Sequence, residues 1–174
     1  IDTAAHRGAV SSGGRTIAVL GNGLDSVYPP ENTKLSYEII ESGGVIISEY
    51  PLGYPSLPVN FAIRNRIVSG ISSVVIVVEG AEKSGTLLTA AHAAEQGKTV
   101  FAVPGQITSP LSAAPLFLLK NGARIATNVG DILEELNMQV KVDKEKMEKI
   151  LPSGSIETKL IEIMENEPLH LDEL

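Results

Sequence analysis

An α/β fold, with a mostly parallel sheet and helices on both faces, is predicted by three features of this 174-residue sequence. Short β-branched runs alternate with helical patterns over residues 1–138, the pattern of βαβ units. Residues 74–78 (Val-Val-Ile-Val-Val) are continuously apolar, as expected of a central strand covered on both faces. Glycine follows the helical patterns at Gly43-Gly44, Gly70, Gly97 and Gly122, where a stop signal belongs.

The elements follow in order. Residues 2–10 read as a helix at the opening of the sequence. Residues 16–20 (Thr-Ile-Ala-Val-Leu) form the first strand. Residues 30–42 are helical, with Pro30 at the start and Leu35, Ile39 and Ile40 on one stripe. A strand over 45–48 leads into a loop holding Pro51, Pro55 and Pro58, then a helix over 60–69. The apolar strand 74–78 is followed by a Leu- and Ala-rich helix over 84–96, a strand over 99–103 and a helix over 114–121. A weaker strand at 124–127 and a short helix at 131–137 complete this part. The strand count is short of a full sheet, so upstream strands are expected to be missing and the chain to open inside a folded unit.

Beyond Asn137 the composition changes. Residues 139–155 read as a charge-rich linker ending in Pro152-Ser-Gly-Ser155. Residues 156–174 hold a further helical pattern, with Leu160, Ile161 and Met164 apolar, and are too few to bury a core alone. The expected division is therefore 1–138, a linker over 139–155, and the start of a small helical unit over 156–174.

Hydrophobic residues at 43% and charged residues at 20% are ordinary globular usage, which argues against disorder over the whole length. No apolar run approaches the ~20 residues that span a bilayer, so no membrane-crossing helix is expected. There is no cysteine, hence no disulfide, thiolate metal site or thiol nucleophile. A cytoplasmic location fits that usage. The net charge of −7 offers no general attraction to nucleic acid. Within residues 1–138 there are 9 Lys and Arg against 12 Asp and Glu, so any polyanion site must be a local cluster.

Two such clusters stand out. Ser84-Gly85-Thr86 follows the most apolar strand and opens a helix, where backbone N–H groups and the helix dipole favour an anion. Lys83 stands beside it, and Gly85 would let a ligand approach the backbone. Plain N-capping by Ser84 is the structural alternative. The second cluster is Arg64-Asn65-Arg66. At ~100° per residue, Arg64 falls in the apolar arc of Phe61, Ile63, Ile67, Val68 and Ile71, while Arg66 points away. A guanidinium on the inner side needs a carboxylate or a bound anion. The structural alternative pairs it with Glu49 or Glu79. Both clusters follow strand ends of a parallel sheet, where ligands bind, so they could converge.

Other motifs are weaker. Gly21-Asn-Gly23 lacks a third glycine at Ser26 and reads as a tight turn, and no G-x-x-x-x-G-K-[ST] phosphate loop is present. His6, His92 and His170 have no metal-ligand spacing, and no Ser–His–Asp set can be assembled. No catalytic residue, metal site or cofactor is expected.

Taken together, these stretches resemble the DNA-processing protein A family (DprA, also called Smf). The matching residues are Ile1-Asp2 with Ala5-His6, Gly14-x-Thr16-Ile-Ala-Val-Leu-Gly21, Tyr28-Pro29 with Asn32, and Ser48-Glu49. They continue with Phe61-x-x-Arg64-Asn65-Arg66-Ile67, Ser69-Gly70, Val78-Glu79, Lys83-Ser84-Gly85-Thr86, Thr89-Ala90 and Val103-Pro104-Gly105. Each is weak alone; their joint order is specific. The resemblance implies an extended Rossmann-like domain that binds single-stranded DNA, protects incoming strands, self-associates as a homodimer and helps load the RecA recombinase in natural transformation. It implies no enzymatic turnover. By motif match, Arg64, Asn65, Arg66, Lys83, Ser84, Gly85 and Thr86 could line the DNA pocket. Residues 156–174 look like the start of the family's winged-helix domain.

The sequence departs from the family in three places. The glycine-rich segment that normally precedes Ile1 is absent, Ala62 replaces a proline, and Ala114-Pro115-Leu116 stands where Gly-x-Asn is usual. The alternative is a nucleotide-binding or nucleoside-monophosphate phosphoribohydrolase-like protein of the same superfamily fold. Its Pro-Gly-Gly-x-Gly-Thr signature is not met by residues 79–86. For self-association, the apolar stretch from Leu111 to Leu119 is a candidate surface, although packing of Leu116, Leu118 and Leu119 on the sheet is the favoured reading.

Overall fold

A computed structural model describes residues 1–138, within which Ile1–Leu136 form one compact unit. The expected linker and the start of a second unit lie outside the described residues. The elements alternate as the sequence predicts: α1 (Asp2–Ser11), β1 (Ile17–Leu20), α2 (Thr33–Glu41), β2 (Val45–Ser48), α3 (Pro58–Ile71), β3 (Val74–Val77), α4 (Gly85–Glu95), β4 (Thr99–Ala102), α5 (Ala113–Lys120), β5 (Arg124–Ile125) and α6 (Val129–Glu135). Short 3-10 turns at Pro30–Asn32 and Pro110–Ser112 lead into α2 and α5.

All strand pairing is parallel. β1 pairs with β2 from Ile17↔Val45 to Leu20↔Ser48, β3 with β4 from Val74↔Thr99 to Val77↔Ala102, and β4 with β5 at Phe101↔Arg124 and Ala102↔Ile125. The sheet is nevertheless in two pieces, β1-β2 and β3-β4-β5. The apolar run at 74–78 is therefore not a central strand of its sheet. β3 stands at an edge, with Ile76 41% and Val78 42% exposed, while β4 takes the middle. An apolar run reports how much of a strand is shielded from water, not how many strands it pairs with.

The main core lies between this sheet and α4. Val75, Val77, Ala90 and Ala93 are buried together, with Val100 and Leu118 packed against them. Alanine at 90 and 93 keeps α4 thin on its inner side, so the helix backbone comes close to the strands. Phe101 is the largest fully buried side chain in this part. On the other piece, Val19 of β1 and Leu35 and Ile39 of α2 are buried.

α3 starts earlier than its sequence pattern predicts, at Pro58 rather than residue 60. Proline needs no N–H partner in a first turn and carries a pre-set helical φ. Its inner face also differs from expectation. Ile63 and Ile71 are 46% and 52% exposed, while Asn60 and Ser69 are buried. Ser69 is small enough for the close crossing with α4. Asn60 ties the helix start to the end of β1, its Nδ2 donating to the carbonyls of Gly21 at 2.8 Å and Pro55 at 3.1 Å. Of the same apolar arc, Phe61 and Val68 border open clefts.

Candidate nucleic-acid interface

Two clefts, one along each sheet piece, share part of their walls. The first, about 300 Å³, is lined by His6, Val19, Asn22, Tyr28, Leu35 and Arg64 among others. The second, about 360 Å³, runs along Val74–Val78 and is lined also by Asp2, Arg64, Asn65, Glu79 and Thr86. Asp2, Phe61 and Arg64 belong to both walls.

Arg64 occupies this shared wall. Its Nη1 donates to the Val19 carbonyl of β1, its Nε donates to Asn65 Oδ1 at 3.2 Å, and its guanidinium lies 5.7 Å from the centre of the Phe61 ring. Burial lowers its pKa, and the nearby Asp2 carboxylate works in the other direction; an arginine so placed remains charged. Neither Glu49 nor Glu79 pairs with it, so the carboxylate partner weighed from the sequence is replaced by a backbone carbonyl. The carbonyl is available because β1 has no strand on that side. His6 is close by: its Nδ1 lies 2.7 Å from Thr16 Oγ1, and its pKa is lowered mainly by burial, with Asp2 raising it and Arg64 lowering it.

Asn65 points to the other cluster. Its Nδ2 lies 3.5 Å from the Gly85 carbonyl, which puts the Arg64–Arg66 turn of α3 against the N-terminus of α4. There Ser84 is the N-cap, its Oγ accepting from Thr86 N at 3.2 Å and lying 2.8 Å from Thr86 Oγ1. Capping and exposure thus coexist in this turn. Gly85 has nothing within 4 Å of where a Cβ would stand, so the approach to its backbone is open. Lys83 is exposed just ahead of the cap.

Arg66 does point away from the apolar arc, and it has a partner. Its Nη2 is 2.6 Å from both carboxylate oxygens of Glu49, which follows the last residue of β2. The structure therefore brings Arg64, Asn65 and Thr86 to one cleft, and sets Gly85 against Asn65. Arg66 is turned towards β2, and Lys83 stands free of the cleft lining. Asp2 and Glu79 share the cleft with Arg64, so its interior is not a cationic hole. Cationic reach toward solvent lies beside it, at Arg66 and Lys83, one and two residues from the Asn65–Gly85 contact.

Sequence reasoning did not find the roles of Asp2 and Phe61 as cleft walls. Nothing local signals them, because they become neighbours of Arg64 only through the fold. Asn22 reads in the sequence as part of a tight turn. It is 1% exposed, its Nδ2 donates to the Gly23 and Ser26 carbonyls, and its Oδ1 has no partner among the described residues. Among the described residues, no group of three or more His, Cys, Asp or Glu side chains is placed to hold a metal ion. No helix among them is long and apolar enough to cross a membrane.

Comparison with known proteins gives a consistent result. Over 136 residues the chain is 48% identical to Protein Smf of Escherichia coli, covering 78% of this chain and 36% of that protein. It is 44% identical over 135 residues to DNA processing protein DprA of Streptococcus pneumoniae, covering 78% of this chain and 48% of that one. The X-ray structure of the Streptococcus pneumoniae protein superposes with a TM-score of 0.72, over 78% of this chain and 47% of that chain. A structure of DNA processing protein A from Helicobacter pylori, described for its single-stranded DNA binding mode, superposes with a TM-score of 0.65 at 25% identity, over 77% of this chain and 71% of that chain. The chain thus spans between a third and a half of the length of these two curated relatives. Residues 1–137 match the family model for DNA recombination-mediator protein A, and with this parallel α/β architecture the chain belongs to that family.

Proposed function

We propose that this chain binds single-stranded DNA, as part of a protein that protects incoming strands during natural transformation and helps load RecA onto them, without enzymatic turnover. The observation that carries this reading is the Asn65–Gly85 contact, which joins the arginine turn of α3 to the capped N-terminus of α4. Arg66 and Lys83, one and two residues along the chain from it, are the cations offered to phosphate oxygens, together with the open backbone at Gly85 and the Ser84 and Thr86 hydroxyls. Arg64 acts from within, holding the wall between the two clefts. Such a set contacts the sugar-phosphate chain and reads little sequence. Only four Tyr and three Phe are present in the whole chain, so base stacking is restricted to few sites. Family membership and the single-stranded DNA binding described for the Helicobacter pylori relative support the same reading. RecA contact and a homodimer are part of the proposal on family grounds.

Gel-shift binding to single- and double-stranded oligonucleotides across a salt series tests it. The expected result is tighter binding to the single strand, weakening linearly in log salt. Equal binding to both forms, or none at low salt, would overturn it, and release of free base from AMP would favour the phosphoribohydrolase-like alternative.

A further inference from the structure

The Arg66–Glu49 pair is an odd arrangement for a phosphate-binding arginine. Nη2 meets both oxygens of one carboxylate at 2.6 Å, so the carboxylate fills the place at this nitrogen that a phosphate oxygen would take. The main chain beneath is fixed, with Gln96 Nε2 donating to the Arg66 carbonyl at 2.9 Å, so the helix turn is held between β2 and the end of α4. Yet the two side chains are 48% and 45% exposed, so water and ions reach the pair and it is held weakly. A strongly bound, buried pair would be structural; a weak one at the edge of an anion site can open.

Resting on the proposed single-stranded DNA reading, we propose that Glu49 is an internal competitor for phosphate, its carboxylate occupying Arg66 until a nucleic-acid phosphate displaces it. Glu49 thereby sets the affinity of the site. A strand that offers several phosphates recovers the cost of opening the pair through its other contacts, at Lys83 and the Gly85 turn. A lone phosphate has only one contact to set against it. The salt dependence is affected as well. A phosphate that displaces Glu49 leaves a free carboxylate, which takes up a cation and cancels part of the counterion release.

The test is a double-mutant cycle on the 174-residue chain with an oligothymidylate as probe. Glu49→Gln is expected to tighten binding about two- to fivefold, the range an exposed ion pair covers, and to steepen the salt slope by up to about one unit. Glu49→Asp keeps the charge but draws the carboxylate back, and is expected to tighten binding in the same direction. Placed on an Arg66→Ala background, both gains should vanish. Binding unchanged or weakened by Glu49→Gln would overturn the proposal. So would a gain that persists without Arg66, or a gain for Gln with none for Asp, since both would describe general charge repulsion. If the unaltered chain binds the probe and the cycle shows no coupling, Glu49 alone is misassigned. If the unaltered chain fails to bind at low salt, the single-stranded DNA reading itself falls, and this proposal with it.

Discussion

Arg64 and Arg66 differ by two positions and by almost everything physical. Arg64 is half-buried and spends its donors on the Val19 carbonyl and Asn65, so its removal leaves an edge carbonyl without a partner and a wall without support. Arg66 is exposed, and its side chain is tied to Glu49. Lys83→Ala is expected to weaken oligonucleotide binding and flatten its salt slope by about one phosphate's worth, and Arg66→Ala to weaken binding with a smaller change of slope because Glu49 offsets part of its counterion release, melting temperature staying nearly unchanged in both. An unaltered affinity in either variant would remove that residue from the interface. His6 supplies a pH effect of known sign. Its pKa is lowered by burial, with Asp2 and Arg64 as the charges that face it, so the folded chain prefers the neutral ring. That contribution is fully present above the unfolded value of 6.5 and is lost as pH falls through the lower folded value. His6→Gln should therefore flatten the fall in melting temperature on the acid side of pH 6.5; a curve of unchanged steepness would assign the effect to other groups. The direction in which each arginine faces was legible in the sequence from the 100° wheel. The partners were not, because Glu49 and the Val19 carbonyl are 17 and 45 residues away along the chain.

At the level of elements, most of the secondary structure could be read because its signals are local: Pro at helix starts, Gly at helix ends, β-branched runs between. α6 starts at Val129, two residues before its sequence pattern, because Asn128 and Asp131 form a reciprocal cap. Thr127 N–H, donating to Asp131, holds that carboxyl below its ordinary range. α3 shows what local signals miss. Its buried positions are Asn60 and Ser69, chosen for a hydrogen bond and a close crossing and not for apolarity. Asn60→Ala removes two donated bonds and leaves the Gly21 and Pro55 carbonyls short of a partner. A loss of roughly 1–3 kcal/mol is expected in denaturant unfolding. The α2–β2 junction gives a second case. A Cβ on Gly44 would stand 2.5 Å from the Thr16 carbonyl oxygen and 2.8 Å from that of Ile39, both main-chain atoms that cannot swing aside. Gly44→Ala should then cost about 1–3 kcal/mol by overpacking, whereas Gly85→Ala, in open space, should leave stability nearly unchanged. Comparable melting temperatures for the two variants would contradict this.

For the molecule as a whole, the alternation of strands and helices predicts a parallel sheet, and the pairing is parallel throughout. Its division into two pieces was beyond the reach of sequence pattern, since pairing joins residues far apart. Three consecutive β1 residues, Ala18, Val19 and Leu20, line one cleft, and the unbroken run Val74–Val78 lines the other. A strand seen face-on presents every second residue, so consecutive lining means that each cleft runs along a strand edge. The two edges open onto neighbouring space, separated by Asp2, Phe61 and Arg64. Such edges expose backbone groups that other chains can pair with, and the guanidinium on the Val19 carbonyl covers part of one. Hydrogen exchange reads this directly. In β4, which has strands on both sides at Phe101 and Ala102, amides are expected to be protected. In β1 and β3, every second amide faces the open side and is expected to exchange faster, and Arg64→Ala should speed exchange around Val19 further. Uniform protection along β1 and β3 would mean that the edges are closed in solution, by a second copy of the chain if protection rises with concentration.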